Sequence, residues 1–186
     1  MRRTSAFCAH IALFALVAAA FARVALSQPV DATWERLGGP MDPPPAFAHQ
    51  VLRDPARHRL LLLDGGPLDE IWEMPLPATG PTAWQRVVVD GTNPGRRWGF
   101  SAVYDPLQDR VILFGGTTYD PVLLHERYCN DVWSLSLEGA PAWTEIVTSG
   151  TPPSERTGAV AVFDPVRDRL ILFGGYTSGS GLDETW

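Results

Sequence analysis

One segment of this chain is written three times. Gly99-Phe100-Ser101-Ala102-Val103-Tyr104-Asp105-Pro106 runs on through Asp109-Arg110 into Val111-Ile112-Leu113-Phe114-Gly115-Gly116. Fifty-nine positions later, Gly158-Ala159-Val160-Ala161-Val162-Phe163-Asp164-Pro165 leads through Asp168-Arg169 to Leu170-Ile171-Leu172-Phe173-Gly174-Gly175. Fifty-one positions earlier stands a worn copy, with Asp54-Pro55, Arg59 to Leu63, and Asp64 where the first glycine of the pair belongs. Tryptophans follow each copy in order: Trp72, Trp133 and Trp186, then Trp84 and Trp143. A period of this length means a repeated supersecondary unit that buries its apolar faces only against its neighbours.

Each unit reads as four strands, A to D. Strands A (48–53, 100–104, 159–163) and B (59–63, 110–114, 169–173) are almost unbroken apolar runs, as in a sheet covered on both faces. Between them, Asp-Pro-x-x-Asp/His-Arg is a hairpin signal, since aspartate closes a turn with its carboxylate and proline presets φ. Strand C alternates, with Trp133, Leu135 and Leu137 on one side and Ser134 and Ser136 on the other; Trp72, Met74 and Leu76 repeat the pattern. Strand D is 143–147, matched by 84–88, with the polar positions of an outer strand. The 17 Gly and 17 Pro among 186 residues suit short strands and tight turns rather than helices.

Apolar strand, Gly-Gly, acid-x-Trp and a further Trp in that order resemble the kelch repeat. The resemblance implies an all-β fold of four-stranded antiparallel blades set radially in a β-propeller. It divides the chain into residues 47–98 (blade 1), 99–157 (blade 2) and 158–186 (part of blade 3), about two and a half blades of an incomplete ring. Residues 28–46 form an N-terminal segment whose Trp34-Glu35-Arg36-Leu37 matches strand D, the strand with which such rings often close. Open blade faces are then expected to be covered by missing blades or by self-association.

Residues 1–27 read as a secretory signal: Arg2 and Arg3, the uncharged run Ile11 to Ala22, then Ala25-Leu26-Ser27 as a cleavage site, with Ala20-Phe21-Ala22 offering a second. The expected location is secreted or periplasmic, or the cell surface, with no membrane segment in the mature form. Cleavage removes three arginines and no acid, leaving 12 basic and 21 acidic residues and a net charge of −9. That surface repels nucleic acid. Cys8 leaves with the signal, so Cys129 has no partner within the mature chain.

Up-and-down strands put the B–C and D–A connections at one end of every blade. The longest insert, Thr117 to Asn130, is a B–C loop on that rim. The candidate binding rim is therefore Arg96, Arg97, Tyr119, His125, Glu126, Arg127, Tyr128 and Arg156, and the expected ligand is a protein or a glycan. Arg96, Arg97 and Arg156 also have a structural reading, because kelch units commonly carry an arginine there that bonds neighbouring loops. Asp69-Glu70, Asn130-Asp131 and Asp183-Glu184 recur just before a tryptophan, which marks blade architecture rather than paired catalytic carboxylates.

No catalytic residue, metal ligand or cofactor site is expected. His49, His58 and His125 stand in unrelated contexts, and no phosphate loop, dinucleotide fingerprint or nucleophile elbow occurs. The favoured function is a binding or scaffolding module. The alternative is the N-terminal part of a secreted propeller enzyme resembling galactose oxidase or a sugar epimerase, with its active site in other blades. Tyr128-Cys129 does not match the oxidase's Tyr–Cys crosslink, which joins residues distant in sequence.

Overall fold

The computed structural model describes Pro43, residues 48–63, Leu68, 70–79, 82–120, Val122 and 124–186. Trp34 to Leu37, the secretory signal, Asp64 and Asp69 lie outside these residues. The described secondary structure is strand throughout, in antiparallel sheets.

The first sheet is a four-stranded meander: β1 (Gln50–Asp54), β2 (Arg59–Leu63), β3 (Glu70–Pro75) and β4 (Gln85–Val88), each paired with the next. In the second, β5 (Arg97–Trp98) and β6 (Ser101–Asp105) share one edge of the long β7 (Arg110–Asp120). The long β8 (His125–Ser136) and then β9 (Ala142–Ile146) follow on the other side. In the third, β10 (Val160–Asp164) pairs with β11 (Arg169–Phe173). A third strand begins there, since Trp186 and Leu172 exchange backbone hydrogen bonds at 2.9 and 3.0 Å.

The A–B hairpins show why the repeat is written as it is. Asp54, Asp105 and Asp164 each accept turn amides and each take an ion pair from the arginine that opens the next strand. His58, Asp109 and Asp168 occupy the left-handed region, with φ of 49°, 47° and 48°. Asp and His tolerate that conformation better than most side chains. Hence the histidine of the first unit can stand where the others have aspartate.

Blades pack face to face. Leu61 and Leu63 of the first sheet lie against Ala102, Val111, Leu113, Trp133 and Leu135 of the second in one buried cluster. The indole of Trp143 ties the two by donating to the Leu68 carbonyl at 2.9 Å. The other face of blade 2, made of Ser101, Val103, Ile112 and Phe114, is 4–7% exposed. Its copy on blade 3 is open: Val160, Val162 and Phe173 are 66, 54 and 55% exposed. Equivalent repeat positions thus differ in whether a neighbouring sheet packs on them.

The expected B–C loop of blade 2 is a correction. Thr117 to Asn130 is largely strand: beyond a bulge, β7 and β8 continue as a two-stranded ribbon from Gly116↔Cys129 to Asp120↔His125. Thr117-Thr118-Tyr119 and the alternation around Tyr128 have the β-branched and aromatic character that favours this. Among the described residues of this segment, turn conformation is confined to Val122 and Leu124.

Candidate functional site: the blade 2 hairpin and its supports

At the bulge, Gly115 alone on β7 faces Asn130 and Asp131 on β8, so Asp131 is released from the ladder. Gly115 and Gly116 have φ of 63° and 96°. A Cβ on Gly115 would lie 2.9 Å from the Arg156 carbonyl oxygen, and one on Gly116 2.9 Å from that of Trp98. Glycine is required at both positions by conformation and by close approach.

Arg97 fills the space beside the bulge. Its guanidinium grips both carboxylate oxygens of Asp131 at 2.7 and 2.9 Å and donates to the carbonyls of Gly115 and Pro94. The Trp133 indole donates to the same carboxylate at 2.7 Å. Blade 3 repeats the arrangement: Arg156 donates to Glu184 and the Gly174 carbonyl, and Trp186 donates to Glu184. Burial opposes ionisation of Asp131, yet the Arg97 and Trp133 hydrogen bonds prevail and hold its carboxyl below the usual range. The Arg97 and Arg156 side chains are 4% and 0% exposed.

Both guanidiniums are turned into the blade, the structural use that stands beside the rim assignment for these two residues. Arg97 spends its donors on the Pro94 and Gly115 carbonyls and on Asp131; Arg156 donates to the Ser154 and Gly174 carbonyls, the Ser154 hydroxyl and Glu184. The backbone of Arg156 also joins blades, accepting from the Gly116 amide at 2.9 Å and donating to the Cys129 carbonyl at 3.0 Å. Asn130 donates to Pro153 across the same joint. Cys129 is buried, which raises its thiol pKa.

The rest of the rim is surface. Arg96, Tyr119, His125, Glu126 and Arg127 are exposed and Tyr128 is half-buried. Val122 and Leu124 at the ribbon tip are 85% and 73% exposed, two apolar residues that the sequence reading did not include. Four of the polar candidates, His125 to Tyr128, lie on one strand, and Tyr119 pairs directly with Glu126. Arg96 meets the ribbon through its carbonyl, which accepts from Thr118.

At the opposite end, the A–B turns of blades 1 and 2 are joined by Arg57 and Asp109. The Arg57 hydrogen bonds, against a smaller burial penalty, hold the Asp109 carboxyl below its ordinary range. Tyr104 donates to Asp109 at 3.0 Å, and burial with that bond pushes its phenol up to about 12. Among the described residues no three His, Cys, Asp or Glu side chains gather as a metal-binding group would.

The model of the KLHDC2/KLHL20/DRC7 kelch-repeats domain matches residues 64–186. The chain belongs to the kelch-repeat family. Among kelch-bearing relatives, the rice Adagio-like protein 3 is 32% identical over 63% of this chain and 17% of its own length. Adagio protein 3 of Arabidopsis thaliana is 29% identical over 80% of this chain and 23% of its own. Dynein regulatory complex subunit 7 of Chlamydomonas reinhardtii is 32% identical over 52% of this chain and 8% of its own. The chain thus spans less than a quarter of the length of these curated relatives. The solved structure of YjhT superposes with a TM-score of 0.55 at 18% identity, over 75% of this chain and 42% of that one. It shares the fold.

Proposed function

We propose that this kelch-repeat chain is exported and serves as a protein-binding scaffold, with the blade 2 ribbon as its recognition surface. One observation carries the reading. The buried arginines brace the blades at their bulges, and the Arg156 backbone joins blades 2 and 3, while the ribbon runs past them and presents Tyr119, Val122, Leu124 and His125 to Arg127 to solvent. Rigid sheets that hold one projecting element are suited to recognition. The name of one relative, a subunit of a dynein regulatory complex, supports an assembly role.

The leader-like composition of residues 1–27 supports export; among the described residues, no helix is long and apolar enough to cross a membrane. The uncovered face of blade 3 supports association with another blade-like surface, including that of a second copy.

The test replaces Tyr119 to Glu126 with an Asn-Gly turn joining Thr118 to Arg127 and compares the proteins that co-purify from the native host. The control changes Leu107 and Val166, exposed at the A–B turns, to serine. Partners lost from the trimmed chain but kept by the control are expected. Partners kept after trimming would exclude the ribbon, and capture of oligosaccharide instead would assign the surface to glycan.

A further inference from the structure

Resting on that reading of the ribbon, we propose that the outer edge of β8 at His125–Tyr128 receives an extended peptide whose charges alternate acidic, basic, acidic. The β8–β9 ladder covers only Val132 to Ser136, whereas the outer edge of β7 is covered by β5 at Thr117 and Thr118. Among the described residues, the stretch from His125 to Tyr128 therefore has a neighbouring strand on one side alone. An edge strand turns the N–H and C=O of alternate residues outward, which makes it a template for an added strand.

The free stretch has a defined end. At Cys129 and Asn130 the approach segment of blade 3 already bonds to β8, through Arg156 and Pro153. The proposed strand lies against His125 to Tyr128, short of that joint.

Charge decides the occupant. Alternation puts Glu126 on one side of the ribbon and His125 with Arg127 on the other. A second copy pairing antiparallel about a two-fold axis must match residues of like facing. The centre of the stretch itself would oppose residues of unlike facing, so the pairing centres on Glu126 or on Arg127, and sets either residue against its own copy. Like charges directly opposite are destabilising. A foreign peptide with a basic residue opposite Glu126, flanked by acids, meets no such conflict. Its acid faces Arg127 in either strand direction.

The test titrates the full chain into labelled Thr-Val-Asp-Lys-Asp-Val-Thr, read by fluorescence anisotropy. Four comparisons accompany it: the charge-reversed peptide, an N-methylated peptide, the Arg127→Ala variant, and the Glu126→Lys, Arg127→Glu double variant, both variants checked for native circular dichroism. The wild-type chain should prefer the first peptide by about tenfold over the reversed one, as two or three opposed pairs would give. The double variant should invert that preference, and N-methylation should abolish binding. Arg127→Ala, a milder change, should lose most of the discrimination. Equal affinity for both charge patterns, an unaltered preference in the variants, undiminished binding after N-methylation, or no peptide binding at all would each overturn the edge proposal. The trimming experiment reads separately, so the ribbon could still be the recognition surface by side-chain contact.

Discussion

Arg97 holds Asp131 by a two-pronged contact across the bulge of blade 2, and Asp131 is free to be held because the bulge lifts it out of the β7–β8 ladder. The pair is nearly buried on the arginine side and further fixed by the Trp133 indole. Arg156 and Glu184 reproduce it one blade on, with a single guanidinium–carboxylate bond. A feature repeated at equivalent positions in successive blades belongs to the scaffold.

Arg97→Ala should therefore act as a stability mutation. Removing one partner of a largely buried pair costs about 3–5 kcal/mol, since Asp131 and two carbonyls lose their donor. Arg97→Lys should recover little, because an ammonium cannot span both carboxylate oxygens and the Pro94 carbonyl together. Urea denaturation of the three proteins reads both effects. Arg96→Ala, at an exposed position, should change stability by no more than about 0.5 kcal/mol.

Acid should loosen the blade joints. Asp131 and Asp109 both have carboxyls held below their ordinary range in the folded chain. Their contribution is complete above the unfolded carboxylate pKa of about 4 and is lost as pH falls through the lower folded value. Denaturation midpoints should be level from about pH 7 to 5 and fall steeply below about 4. Asp131→Asn and Asp109→Asn should each flatten that fall while lowering stability at neutral pH.

Equivalent phenylalanines should behave unequally. Phe114 is 4% exposed between blades 2 and 3, whereas Phe173, at the same repeat position, is 55% exposed. Phe114→Ala should cost about 3–5 kcal/mol. Phe173→Ala should leave the monomer within about 0.5 kcal/mol and weaken any self-association. Equal destabilisation by the two in dilute solution would mean that the third sheet is not a copy with an uncovered face.

The protein freed of residues 1–27 should oligomerise or unfold over a broad range, as a short array of blades with an open face would. Sedimentation velocity with calorimetry tests this. A sharp transition of a monomer would contradict it.

Much of this was legible in the sequence because repetition turns a weak local pattern into a strong one. Asp105, Asp109 and Arg110 identify a turn chiefly because Asp164, Asp168 and Arg169 recur in the same order. The structural role of the arginine–acid–tryptophan set was legible for the same reason. The blade 2 ribbon occurs once, so no second copy could reveal that Thr117 to Asn130 continues as strand. Nor could composition foresee that Gly115 opposes two residues of β8, because a bulge depends on the partner strand rather than on its own sequence. The apolar tip at Val122 and Leu124 escaped for a related reason: apolar residues read as core until the fold places them outside.

Hydrogen exchange at two amides separates scaffold from recognition surface most directly. Gly116 and Arg156 donate across the joint between blades 2 and 3, and both should exchange slowly in the native chain. Arg97→Ala should speed both by about a hundredfold or more, the factor that roughly 3 kcal/mol implies, whereas trimming Tyr119 to Glu126 should leave them nearly unchanged. Fast exchange in the native chain, or loss of protection on trimming but not in Arg97→Ala, would contradict the division between a buried arginine joint and a free ribbon.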